Sequence, residues 1–266
     1  MVKGRKRIDL DVKLLPPHCF LLIALGAALG VLSCVIKHAS LLGWSVELPQ
    51  DLALLLEPAA VLAIAFVSFT QGWRDELEVA DAARLAGLQV FVVAAHTCRC
   101  LGLTGAGAAL CLLVQALLAA RNSLGLRVAW LQGRLPRARL QEQALALACV
   151  TASAVLLLAR PLVAAQGQAT AGLLLAEALG AALGCLLALS ACHSERWPAG
   201  NMRDMATACL LLAGGGLAHA TSLALKPGSQ VQALSACCSL ALLLAGQALA
   251  ATSAYRRTPL PSKGLM

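Results

Sequence analysis

The sequence predicts an all-α integral membrane protein, a polytopic transmembrane helix bundle of about eight spans, and three observations carry that prediction. Of 266 residues, 59% are apolar and 13% charged, where a soluble domain carries roughly 25% charged residues. Leu, Ala, Val and Gly recur in runs of about 18–24 residues, each long enough to cross a ~30 Å hydrocarbon slab. The Lys and Arg residues sort almost entirely to one side when those runs are counted as eight spans. Aromatic residues make up 3% of the chain, and no β-branched alternation is present, so the pattern of a membrane β-barrel finds no support.

Taken in order, residues 1–18 form a basic segment with Lys3, Arg5, Lys6, Arg7 and Lys13. It resembles the start of a signal peptide, but no small-residue cleavage site follows before Lys37, so the first apolar run is read as a retained span. The expected spans are Cys19–Ile36, Leu52–Phe69, Ala83–Cys98, Leu101–Ala120, Ala144–Val163, Thr170–Ala191, Met205–Leu225 and Val231–Tyr255. The third and fifth carry the weakest signals, which brackets the count at six to eight. The third is short and runs into Arg99, so it and the fourth could pair as a re-entrant element. The fifth contains Arg160–Pro161 before its apolar character ends. Residues 19–255 thus make the bundle, with an Arg-rich cytosolic loop at 121–143 and a short cytosolic tail at 256–266.

In this arrangement 17 of the 21 Lys and Arg residues face one side, leaving only Lys37, Arg99, Arg160 and Lys226 on the other. The positive-inside rule then makes both termini cytosolic. Trp73, Trp130 and Trp197 fall near the same side, where indole rings anchor helix ends. The expected loop Arg121–Gln143 interleaves five arginines with Leu126, Val128, Trp130 and Leu131, a pattern suited to anionic lipid headgroups as well as to solvation. The net charge of +8 sits in such short stretches, without the stacking aromatics of a nucleic-acid binder. The expected partners are the lipid bilayer and an unidentified protein or small solute. Cys34, Cys111, Cys149, Cys185, Cys209, Cys237 and Cys238 lie inside apolar runs and read as small apolar residues rather than a disulfide framework.

The heptapeptide ALGAALG occurs at 24–30 and again at 178–184. Splitting the chain into halves of four spans pairs Glu57 with Glu177, His96 with His219 and Gln115 with Gln247. A parallel 4+4 repeat about an axis along the membrane normal would account for this.

Glu57 and Glu177 are the first candidates for function, because an ionised carboxylate near the bilayer centre costs ~2.5–3.5 kcal/mol on insertion scales. Both fall within about two helical turns of the non-cytosolic ends, as do His96 and His219, so four titratable groups share one depth. Such a level suits the binding of a proton or a small solute. The structural alternative has Glu57 capping a helix that begins at Pro58 and the histidines bonding between helices. On that alternative a Glu→Gln change is nearly silent or mildly stabilising, since a neutral amide is cheaper to bury than a carboxylate. Gln115 and Gln247 read as interhelical hydrogen-bonding residues.

His96, Cys98 and Cys100 form H-x-C-x-C, but on a helix only His96 and Cys100 share a face, and no second cluster completes a ligand set. No metal or cofactor is therefore assigned. Cys192 and His193, at a cytosolic helix end, offer a weak acylation signal. Gly26/Gly30 and Gly180/Gly184 read as close-packing steps, and Gly214–Gly216 as either packing or a broken helix lining a cavity. The H-E-x-x-H, G-x-S-x-G and P-loop patterns are missing, so no catalytic residue is assigned. Three function classes remain: a proton-linked or small-solute transporter, a non-catalytic membrane interaction or assembly factor, and, third, an enzyme working through Glu and His. The first two differ in whether Glu57 and Glu177 line a water-filled space.

Overall fold

Backbone amides inside hydrocarbon find no water, so a chain of this composition must satisfy them within helices. The computed structural model describes residues 11–12, 15–39, 50–70, 76–194, 199–253 and 258–259. It forms eight helices: α1 (Pro17–His38), α2 (Gln50–Phe69), α3 (Glu76–Cys100), α4 (Thr104–Leu131), α5 (Arg137–Gln166), α6 (Gln168–Ala191), α7 (Ala199–Ala224) and α8 (Gln230–Thr252). Seven of them, all but α3, are long and apolar enough to cross a membrane. The outer surface is apolar, with Leu21, Leu55 and Leu156 exposed at 71%, 70% and 79%. This is the polarity of a multi-pass membrane protein.

α3 falls short because it carries Arg84, Gln89, His96 and Arg99. Gln89 and His96 are nonetheless buried, and so is the Arg99 side chain. Hydropathy thus penalises this helix largely for groups enclosed in the bundle, Arg84 alone of the four being exposed. A re-entrant pairing of the third and fourth segments does not form. α3 and α4 have 25 and 28 residues, or ~37 and ~42 Å at 1.5 Å per residue, and a three-residue turn at 101–103 joins them.

The expected Arg-rich loop at 121–143 is corrected. α4 runs on to Leu131 and α5 begins at Arg137, leaving only residues 132–136 between them. Charge ends an apolar run but does not end a helix. The backbone turns at Gly133, whose φ of 64° suits a residue without Cβ, and α5 starts directly after Pro136. Arg121 is buried, so it is not presented to headgroups, and its Nη1 donates to Asn122 Oδ1 at 3.2 Å. Arg127, Arg134, Arg137 and Arg139 are exposed. The Arg137 guanidinium lies 4.9 Å from the centre of the Trp130 ring, within cation–π range. Trp73 and Trp197 lie outside the described residues.

Two further expectations change. Glu57 caps nothing, because α2 begins at Gln50 and carries Pro58 within it, as membrane helices tolerate. Gly214–Gly216 does not break α7, which is continuous from Ala199 to Ala224. A Cβ at Gly215 would meet Leu243 Cγ at 2.7 Å and Leu243 N at 3.1 Å, so the glycine lets α7 and α8 touch backbone to side chain.

The ALGAALG glycines also sit at crossings. A Cβ on Gly26 would lie 2.8 Å from Ala60 O of α2, and one on Gly180 would lie 3.1 Å from Gln115 Cβ of α4. Hydroxyls add cross-helix bonds: Ser33 Oγ donates to Ala53 O at 3.2 Å, Ser235 Oγ to Ala218 O at 2.8 Å and Ser239 Oγ to Gly215 O at 2.8 Å. α2 packs on α8 and α4 on α6, the exchange that a twofold relating two halves requires. α1 packs on α2 and α8, whereas α5 packs on α6 and α7, so the outer helices depart from that symmetry. Asp11–Val12 pairs antiparallel with Thr258–Pro259, bringing the two ends of the chain together.

Candidate functional site: an interior charge cluster

α1, α3, α5 and α7 end, and α2, α4, α6 and α8 begin, at one end of the bundle. Because helices rise ~1.5 Å per residue, a residue five from an end and one seven from a start lie at similar depth. His96 and His219 stand four and five residues before their helix ends, and Glu57 and Glu177 seven and nine after their helix starts, so the four lie about one to two and a half turns inside that end.

The structure brings Glu57 and His96 together but not Glu177 and His219. Lys37 of α1 forms an ion pair with Glu57 Oε2, and His96 Nδ1 lies 3.7 Å from Glu57 Oε1. On its other edge, His96 Nε2 lies 3.3 Å from Gln247 Nε2 of α8. Since an amide NH2 only donates, Nε2 accepts in this arrangement and Nδ1 carries the ring hydrogen toward the carboxylate. Glu177 pairs instead with Arg99 Nη2 of α3, and both side chains are about 5% exposed. His219 is nearby but its Nε2 is buried with no hydrogen-bond partner among the described residues.

Glycines make the room. A Cβ at Gly107 of α4 would lie 2.7 Å from Arg99 Cγ and 2.9 Å from Ala95 O, so the absence of a side chain there lets the arginine stem pass between α3 and α4. A Cβ at Gly216 would lie 3.6 Å from Glu177 Oε1, placing that carboxylate against the α7 glycines.

Two cavities adjoin these pairs. The outer one, about 140 Å³, is lined by Lys37, Glu57, His96, Arg99 and His219, with Cys34. The inner one, about 30 Å³, is lined by Gln89, His96, Gln115, Glu177 and Gln247 among apolar residues. A water needs ~10–15 Å³ of such space, so the inner cavity has room for two or three waters and the outer one for several. His96 lines both. The oxygens of Gln89, Gln115 and Gln247 are buried without partners among the described residues, which leaves acceptors in need of a donor at the inner cavity.

Sequence reasoning missed Lys37, Arg99 and Gln89. Lys37 and Arg99 read as topology charges, yet they neutralise the two carboxylates. The available signal was their number and depth: two cations on the poorly charged side, level with two acids. Gln89 lies seven residues before His96 on α3, two helical turns along the same face. Among the described residues no group of three His, Cys, Asp or Glu side chains could hold a metal ion.

Fold and site together define a multi-pass helical membrane protein whose interior carries paired charges beside water-sized space. No protein-family model matches the chain, and no curated protein or solved structure matches it either.

Proposed function

We propose that this protein is a small-solute transporter whose cycle is linked to proton movement, with the outer cavity as the solute site and His96 as the proton-handling group. One observation carries the reading: His96 stands between the two cavities, with one ring nitrogen toward Glu57 and the other toward Gln247. An imidazole so placed takes a proton at one nitrogen and releases it at the other. When His96 is doubly protonated, both nitrogens donate. The Gln247 amide must then turn its oxygen, which is unpartnered now, toward Nε2. Proton uptake is thereby linked to a rotation of one α8 side chain beside the inner cavity.

The charged and titratable groups around this centre, among the described residues, are Lys37, His38 and Cys34 from α1, Glu57 from α2, Arg99 and Cys100 from α3, Cys111 from α4, Glu177 from α6, His219 from α7 and Cys237 from α8. Two cations face two carboxylates, so the site is close to neutral until a proton or a charged solute enters. A membrane interior tolerates that state better than any other.

The orientation that supports this reading has both termini and the 132–136 turn in the cytosol and α3 crossing as an eighth span. The charge asymmetry and the pairing of Asp11–Val12 with Thr258–Pro259 both favour it. Arg127, Arg134, Arg137 and Arg139, with the half-exposed Trp130, then lie where anionic headgroups are.

The test is flux in proteoliposomes, screened across candidate solutes with and without a proton gradient. The wild type should show solute flux that responds to the gradient, and His96→Asn should remove the response while leaving the protein folded and inserted. Wild-type flux at the level of empty liposomes for every solute and gradient would remove the transport reading. An assembly factor would then be favoured, for which α5 supplies the surface. Only Thr151 and Leu162 of that helix are buried, while Leu145, Val150, Leu156 and Leu157 are exposed at 66% or more.

A further inference from the structure

The outer cavity is not evenly furnished, because its unpartnered polar atoms are chiefly donors. Arg99 spends Nη2 on Glu177, yet its Nε and Nη1 are buried and have no partner among the described residues. Both belong to a permanently charged guanidinium. His219 Nε2 is likewise buried without a partner among the described residues, and it donates in the tautomer that carries its hydrogen there. Of the acceptors at hand, Glu57 faces Lys37 and His96, while Ser239 Oγ and Ser222 Oγ give their hydrogens to Gly215 O and His219 O and keep only neutral lone pairs, which do not balance a guanidinium charge. Leaving a charged donor buried and unpaired costs more than leaving a neutral one.

We infer that the outer cavity binds a small oxyanion, a carboxylate or phosphate group, on the free edges of the Arg99 guanidinium, with His219 and Lys37 completing the donor wall. Guanidinium geometry matches the planar or tetrahedral oxygens of such groups. The volume of about 140 Å³ accommodates a few heavy atoms in place of several waters. Glu177 holds Arg99 from the inner side, so the arginine presents its other donors without moving. Because the four charged residues already balance, an entering carboxylate or singly charged phosphate brings one uncompensated negative charge. A proton arriving with it restores neutrality. The inference thus rests on the transport reading for its coupling to protons, but binding itself does not require transport.

The experiment uses the full chain purified in detergent. Its thermal unfolding midpoint is followed against sodium acetate and sodium phosphate, with sodium chloride at matched ionic strength and methylammonium chloride as controls. Binding to the folded state raises the midpoint in a saturable manner. The expected result is a saturable rise with acetate or phosphate beyond that seen with either control. Arg99→Lys, which retains a cation for Glu177 but loses the planar donor set, should raise the half-saturating concentration at least tenfold. His219→Leu, which removes an unpartnered nitrogen and spares the ion pairs, should raise it severalfold and serves if Arg99→Lys fails to fold.

No saturable rise with either oxyanion, or a rise that both variants leave unchanged, overturns the inference. Oxyanion binding without flux of any solute would support this site and remove the transport reading. Flux of a neutral or cationic solute without oxyanion binding would do the reverse.

Discussion

Two ion pairs hold the interior level together, and their burial decides how each responds to mutation. Arg99 and Glu177 are almost fully enclosed, so removing one partner strands the other charge in the bundle. Loss of one member of a buried pair typically costs ~3–5 kcal/mol. Glu177→Gln alone is therefore expected to destabilise the protein strongly, the opposite of the near-silent outcome that the sequence supports when Glu177 is considered alone. Arg99→Gln combined with Glu177→Gln should recover much of the loss. Unfolding midpoints of the two single variants and the double variant, combined as a double-mutant cycle, check this; additive effects would show that the pair contributes no coupling. Glu57→Gln should cost less, because the Lys37 side chain is 33% exposed and its freed ammonium can reach water. The sequence supplied the acids and histidines at this level. It did not supply their partners, because Lys37 and Arg99 carry the same symbols as residues that merely set orientation.

Helix against helix, small residues set the distances. Gly26→Ala would drive a methyl into Ala60 O and Ile64 Cγ1, at 2.8 and 2.7 Å. A backbone oxygen cannot swing aside, and overpacking of this kind costs ~1–3 kcal/mol. Gly172→Ala is the contrast, since nothing lies within 4 Å of the new Cβ and Ala is favoured over Gly in a helix by ~1 kcal/mol. The first variant should melt earlier than the wild type and the second no earlier. Equal midpoints for the two would mean that the α1–α2 contact does not limit stability. The G-x-x-x-G steps were legible as packing elements, but their partners were not. Gly26 meets α2 while Gly30 faces Leu244 of α8, a division that follows from how three helices meet.

Across the whole molecule, the prediction concerns sidedness. Tags at either terminus and in the 132–136 turn should be reached from the cytosol in selectively permeabilised cells, and a cysteine label at Lys226 should not. Termini found on opposite sides would leave an odd number of spans and place α3 outside the hydrocarbon. The rule behind this expectation is stronger than the raw count implies. Of the four cations assigned to the sparsely charged side, Lys37 and Arg99 are paired inside the bundle, so only Arg160 and Lys226 remain to oppose the cytosolic excess.

Composition and run length determined by themselves that this chain is a helical membrane bundle, because the cost of an unsatisfied backbone in lipid admits little else. They located most helices, since hydropathy along a single segment is a local property. Helix ends that carry charge escaped them, as at 121–131. There the chain stays helical because nothing before Gly133 breaks it, and Arg121 is buried rather than facing lipid. What only the tertiary structure decided is which groups share a space: Arg99 with Glu177, Lys37 with Glu57, and His96 between two cavities with Gln247 behind it. Those pairings depend on the azimuth of each helix and on which helices are neighbours. No pattern within one span encodes either.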